Sequence, residues 1–115
     1  MKKLLITIAL LFSFNAKAVW LNSTGEIESV VIYTSNKILV RLKNNNGGDV
    51  VACSSKDFFA ISSTYTEEAR ARMYSTLLAA KLAGRPVTLS YSDVSNCEAW
   101  GSSNNVYRRI TRLAL

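Results

Sequence analysis

The first eighteen residues constrain this chain most, because they decide in which compartment the remainder folds and so whether its cysteines can join. Met1-Lys2-Lys3 gives a short positive start, and Leu4 to Phe12 gives an apolar run too short to cross a bilayer as a permanent helix. Ala16-Lys17-Ala18 then places small residues at the two positions a signal peptidase reads, so the expected cut falls before Val19. A buried N-terminal helix is the competing reading of the same run. No cysteine follows the run to carry a lipid, and no second apolar stretch is long enough to span a membrane. The expectation is a signal peptide over 1–18 and one soluble domain over 19–115, secreted or periplasmic in a bacterial host.

Removing eighteen residues from 115 leaves 97, enough for one core but few enough to benefit from a covalent staple. Cys53 and Cys97 are the only cysteines. In an oxidising compartment this pair reads as one disulfide, and two buried free thiols are the rival. Metal binding is weaker still, since two thiolates without any histidine cannot fill a zinc shell. The formal charge of +6 includes Lys2, Lys3 and Lys17, with no acid before Val19, so the expected mature domain carries +3. That mild excess falls short of the clustered basic surface of a dedicated nucleic-acid binder.

Along the mature chain, Glu26 to Tyr33 is dense in β-branched residues, and Thr34-Ser35-Asn36 interrupts it with turn formers. Lys37 to Lys43 alternates, with Ile38, Val40 and Leu42 on one face and Lys37, Arg41 and Lys43 on the other, which predicts a half-buried strand paired with the first. After the turn cluster Asn44 to Asp49, Val50-Val51-Ala52-Cys53 reads as a third strand, followed by a less regular stretch from Ser54 to Ser63. Thr64 to Glu68 offers hydroxyl caps and first-turn acids, so a helix is expected to start there and to end near Ala83, before Gly84 and Pro86. Its apolar residues form two stripes: Ala69, Met73, Leu77 and Ala80, then Tyr74, Leu78 and Leu82. Either the whole helix is deeply buried, or one stripe meets the domain's own sheet and the other a neighbouring subunit. Val87 to Tyr91 reads as a fourth strand, Ser92 to Asn105 as a loop, and Val106 to Leu115 as a closing strand. The fold class expected is mainly β with one helix, in the order β-β-β-α-β-β. That is the order of the oligonucleotide/oligosaccharide-binding (OB) barrel.

Catalysis is not expected. Histidine is absent, no serine sits in a Gly-x-Ser-x-Gly elbow, and the acids are single apart from Glu67-Glu68, which suit a helix N-terminus. Asn46-Gly47-Gly48 lacks the Lys-Ser/Thr of a phosphate loop and precedes a strand, and nothing calls for a cofactor. Binding chemistry is easier to place. Trp20, Tyr33, Tyr65, Tyr91, Trp100 and Tyr107 each offer a flat apolar face with a polar handle; for any one of them a packing role is the simpler reading unless they cluster in space. Arg108, Arg109 and Arg112 offer guanidinium forks for phosphate or carboxylate, or simply a solvated face.

Two segments resemble the B subunits of AB5 toxins of the subtilase cytotoxin, typhoid toxin and pertussis toxin group. Val50-Val51-Ala52-Cys53-Ser54 is similar to that group's third strand, and Leu82 to Tyr91, containing Gly84-Arg85-Pro86-Val87, is similar to its helix, Gly-x-Pro-Val and following strand. Val19-Trp20 and Ser29 to Ile32 look like its mature start and first strand. The resemblance implies a homopentamer with lectin-like binding of sialylated or related cell-surface glycans and a toxic A subunit as partner. It assigns Ser29 and Tyr91 to the sugar site. The family's second-strand cysteine has no counterpart between Ile38 and Leu42, which turns Cys53 toward Cys97, and the family's long loop after the fourth strand is shorter here. The expected function is therefore a secreted glycan-binding B-subunit-like protein. Its rivals are a secreted protein-interaction module without a sugar site and a weak nucleic-acid-binding barrel.

Overall fold

The structure, a computed structural model, describes residues 19–44, 48–94 and 96–115. The segment read as a signal peptide lies outside them. Eight strands and one helix follow in order: β1 (Trp20–Gly25), β2 (Ile27–Ile32), β3 (Ile38–Leu42), β4 (Phe58–Ile61), α1 (Glu67–Ala83), β5 (Val87–Ser92), β6 (Cys97–Trp100), β7 (Ser103–Arg109) and β8 (Arg112–Ala114). They make a three-stranded sheet, β1-β5-β8, and a five-stranded sheet, β2-β3-β4-β7-β6, antiparallel throughout except where β4 meets β7.

The two sheets are joined by strands that pass from one to the other, as in a small barrel. Only Glu26 separates β1 from β2, and only Ile110 and Thr111 separate β7 from β8. At the second bend the Ile110 N–H donates to Ala60 O on β4, while the Thr111 N–H donates to Ser90 O on β5. Counting each bent pair as one strand recovers the expected order, with the helix between the third and fourth strands. The addition is β6, a hairpin partner of β7 formed within the stretch read as a loop.

The expected hairpin forms as β2 and β3, closed by the Tyr33 N–H donating to Lys37 O at 2.8 Å and by Asn36 at φ 65°. The expected third strand does not form at Val50 to Cys53. Those residues make a turn, with the Cys53 N–H on Val50 O, and Val51 is fully exposed. The neighbour of β3 is instead β4. Phe58-Phe59-Ala60-Ile61 is apolar without alternation because Phe59, Ala60 and Ile61 are all buried, so both faces of this central strand meet protein.

The helix begins where expected. Thr66 caps it, its hydroxyl accepting from the Ala69 N–H at 3.1 Å, and Gly84 ends it at φ 65°, a conformation that a Cβ makes costly. Its first stripe faces the core: Leu77 and Ala80 are buried, Met73 is partly so, and they pack with Phe59, Ile61, Val87, Leu89 and Ile110. Burying a leucine such as Leu77 contributes about 1.5–3 kcal/mol. The second stripe is not deeply buried, since Leu78 is 39% and Leu82 80% exposed. Cys53 and Cys97 form a disulfide with Cα atoms 5.6 Å apart, pinning the turn before β4 to the start of β6.

Candidate functional site

Of the six aromatics singled out as binding candidates, three gather at one place. Tyr33 follows β2 directly, held by the turn that returns to Lys37. Trp100 ends β6, and Gly101 at φ 58° reverses the chain into β7, on which Tyr107 sits opposite Glu98. The Tyr33 and Trp100 rings meet edge to face at 4.8 Å between centroids, and Trp100 meets Tyr107 in the same manner at 6.0 Å. Because β2 and β6 are the two edges of the five-stranded sheet, this contact draws residues beside opposite edges together.

Lys37 completes the group. Its Nζ donates to Ala99 O and lies 5.8 Å from the Trp100 ring centroid, within cation–π range. Ser35, Lys37, Trp100 and Gly101 line an open depression of about 390 Å³. Tyr33 and Trp100 remain 39% and 38% exposed, whereas burial pushes the Tyr107 phenol above its ordinary pKa, with the Tyr33 hydroxyl adding to the effect. A half-exposed indole beside a hydrogen-bond-donating ammonium and a serine hydroxyl can hold a ring that has both an apolar face and polar edges.

The residues assigned by resemblance lie elsewhere. Tyr91 is fully buried, packed 5.1 Å from the Phe59 ring with its hydroxyl donating to Gly48 O at 2.5 Å. A ring enclosed in this way presents no face to a sugar, so the contact assigned to Tyr91 is corrected to a packing role. Burial raises its phenol pKa, and the neighbouring Arg108 opposes that rise. Ser29 is half-buried on β2 opposite Arg41, whereas Tyr91 is on the other sheet opposite Leu21. Cys53 and Cys97 are paired, as expected from compartment and number.

The C-terminal arginines diverge. Arg108 is 1% exposed, its guanidinium 3.9 Å from the Phe59 ring centroid and 5.4 Å from that of Tyr91, with Nη2 donating to Lys56 O. Arg109 pairs with Glu98 at 2.9 Å, and Arg112 is exposed on β8. The run therefore does not form one basic face. Of the remaining aromatics, Tyr65 donates its hydroxyl to Ile110 O and Trp20 lies exposed on β1.

Glu98 is a buried carboxylate that single-residue reading passed over. Its oxygens accept from the Ser63 N–H (2.9 Å), the Ser63 hydroxyl (3.1 Å), the Ser62 hydroxyl (3.3 Å) and Arg109. Desolvation pushes its pKa up, but the Ser63 N–H, Arg109 and the Ser63 hydroxyl together outweigh it and leave the carboxyl below its ordinary value. A carboxylate so fully engaged holds structure rather than moving protons. Among the described residues, no three acids or cysteines gather as a metal site, and no helix is long and apolar enough to cross a membrane. Comparison with protein-family models, curated proteins and solved structures finds no match.

Proposed function

We propose that this chain is exported, cut before Val19, and acts as a glycan-binding protein of B-subunit type whose sugar platform is Tyr33, Trp100 and Tyr107 with Lys37. The observation that carries the reading is the clustering of the three rings, Tyr33 and Trp100 each over one-third exposed, beside an open depression that Trp100 and Lys37 line with Ser35 and Gly101. Aromatic rings take the C–H face of a pyranose, and the Lys37 ammonium suits a hydroxyl or carboxylate at its edge. The disulfide supports export, because such bonds persist in oxidising compartments.

The resemblance adds an oligomer, a pentamer in that family, whose repeated weak sites would act by avidity, and a toxin A subunit as partner. The exposed stripe of Leu78 and Leu82 favours a subunit contact there. A second reading, an interaction module that uses this stripe to hold another secreted protein without binding sugar, rests on the same leucines.

A glycan array probed with the chain beginning at Val19 tests the platform. Binding is expected, and Trp100→Ala should weaken it at least about tenfold, or about 1.4 kcal/mol. No signal on any sugar would overturn the glycan reading and leave the interaction module. Light scattering tests assembly, and a monomer would remove the avidity argument.

A further inference from the structure

We propose that the Ala18–Val19 bond is a processing site whose cleavage arms a latch: the α-amino group released on Val19 ion-pairs with Asp93 and fastens β1 to the turn after β5. The proposal rests on the export reading above and goes beyond it by giving the new terminus a partner.

The Val19 N–H donates to Asp93 Oδ1 at 2.8 Å, and the Asp93 N–H donates back to Val19 O at 3.0 Å. These reciprocal bonds join residues 74 positions apart, one step beyond Trp20↔Ser92, the last pair of the β1–β5 ladder. In an uncut chain this nitrogen is an uncharged amide with one proton. An endopeptidase adds one water across the bond: the C–N bond breaks, oxygen bonds to the Ala18 carbonyl carbon to leave a carboxylate, and nitrogen keeps the electron pair and takes up protons as an ammonium. A positive charge then appears 2.8 Å from a carboxylate oxygen already in place. The hydrogen bond becomes charge-assisted, a class roughly twice as strong as the neutral one.

The location gives that gain a use. β1 is an edge of the three-stranded sheet, Val19 and Trp20 are more than half exposed, and strand ends of this kind are where local opening begins. The residues beside the pair in the ladder, Trp20, Leu21, Tyr91 and Ser92, carry no charge near neutral pH, so the ladder itself offers the new ammonium no competing partner. The latch thus distinguishes processed from unprocessed protein in the order of its first strand.

The test starts from the full chain expressed in a secreting bacterial host. Intact mass of the exported protein should correspond to a start at Val19. Its α-amino group, labelled by ¹³C reductive methylation and titrated by NMR, should show a pKa about half a unit to one unit above that in Asp93→Asn. A variant with one extra alanine ahead of Val19 moves the ammonium off the carboxylate and should titrate like Asp93→Asn. A start at Val19 with the same pKa in all three proteins would sink the latch and leave export standing. A different start, or an intact Met1, would sink the export reading and the latch with it.

Discussion

Replacing both half-cystines by alanine removes a cross-link between residues separated by 44 positions. In the chain-entropy account, a loop of that length restricts the unfolded ensemble by about 13 cal/mol/K, or about 4 kcal/mol at 25 °C. A domain of this size has a total stability of about 5–15 kcal/mol, so the loss takes away from a quarter to most of it. The folded side should change less. Cys53 and Cys97 are each no more than 6% exposed, and the segment after Cys53 stays tied to β7 through the Ser54 N–H on Asn105 O and the Ser55 N–H on Val106 O. Urea unfolding of Cys53→Ala/Cys97→Ala beside the oxidised parent should therefore show a midpoint lower by at least about 1 M. Far-UV circular dichroism should show folded β structure without denaturant. A stability change below about 1 kcal/mol would refute the reasoning, since it would mean that the 44-residue separation does not restrict the unfolded chain.

Glu98→Gln should destabilise by about 2–4 kcal/mol because it strips the charge partner from Arg109 inside the protein. The sign of the pH effect follows from the lowered carboxyl pKa. Its stabilisation is complete above the unfolded glutamate value of about 4.3 and fades as pH falls from there through the folded value, so parent stability should drop in that window and the slope should shrink in the variant. Equal slopes in thermal melts across acid pH would contradict this. Tyr91→Phe should cost about 0.5–1.5 kcal/mol through the lost bond to Gly48 O and should leave sugar binding unchanged; a large affinity loss at full stability would return Tyr91 to the binding site. Leu77→Ala should cost about 2–5 kcal/mol and Leu82→Ala under about 0.5 kcal/mol in monomer stability. Similar costs at the two positions would place the second stripe in the core as well.

What could be read in the sequence was what local chemistry enforces. Alternation in Ile38 to Leu42 and the turn formers before it specify the first hairpin, and Thr66 and Gly84 bracket the helix with capping groups that act within one turn. Resumption of the apolar pattern after the turn cluster misplaced the third strand. Val50 is buried and Val51 fully exposed, but a turn achieves that as well as a strand, and β4 lacks alternation because it is covered on both faces. In β5, Val87, Leu89 and Tyr91 share one face by period 2 and are all buried, and Ser90 between them is buried as well. The resemblance pointed Tyr91 toward a ligand, while packing was the simpler reading of any aromatic taken alone, and the structure buries it. The aromatic cluster was out of reach, since Tyr33 and Trp100 are brought together by coiling of a whole sheet and no local pattern encodes that.

The supports of the short edge strand β6 then explain why the proposed platform should be rigid. A four-residue edge strand paired on one side is a poor base for a binding residue, yet three of its residues are each fixed by a different chemistry. Cys97 is bonded to Cys53, Glu98 is held by the Ser62–Ser63 segment and Arg109, and Trp100 is wedged between Tyr33 and Tyr107. Lys37 adds a fourth tie through Ala99 O. These ties reach the β2–β3 turn, the segments before and after β4, and β7, so the indole is oriented by contacts spread across the five-stranded sheet rather than by its own hairpin alone. Such support from surrounding residues is what a preorganised binding surface needs. It also couples the staple to the site: opening Cys53–Cys97 leaves β6 held by polar and aromatic contacts only, which should loosen Trp100 before the barrel itself unfolds.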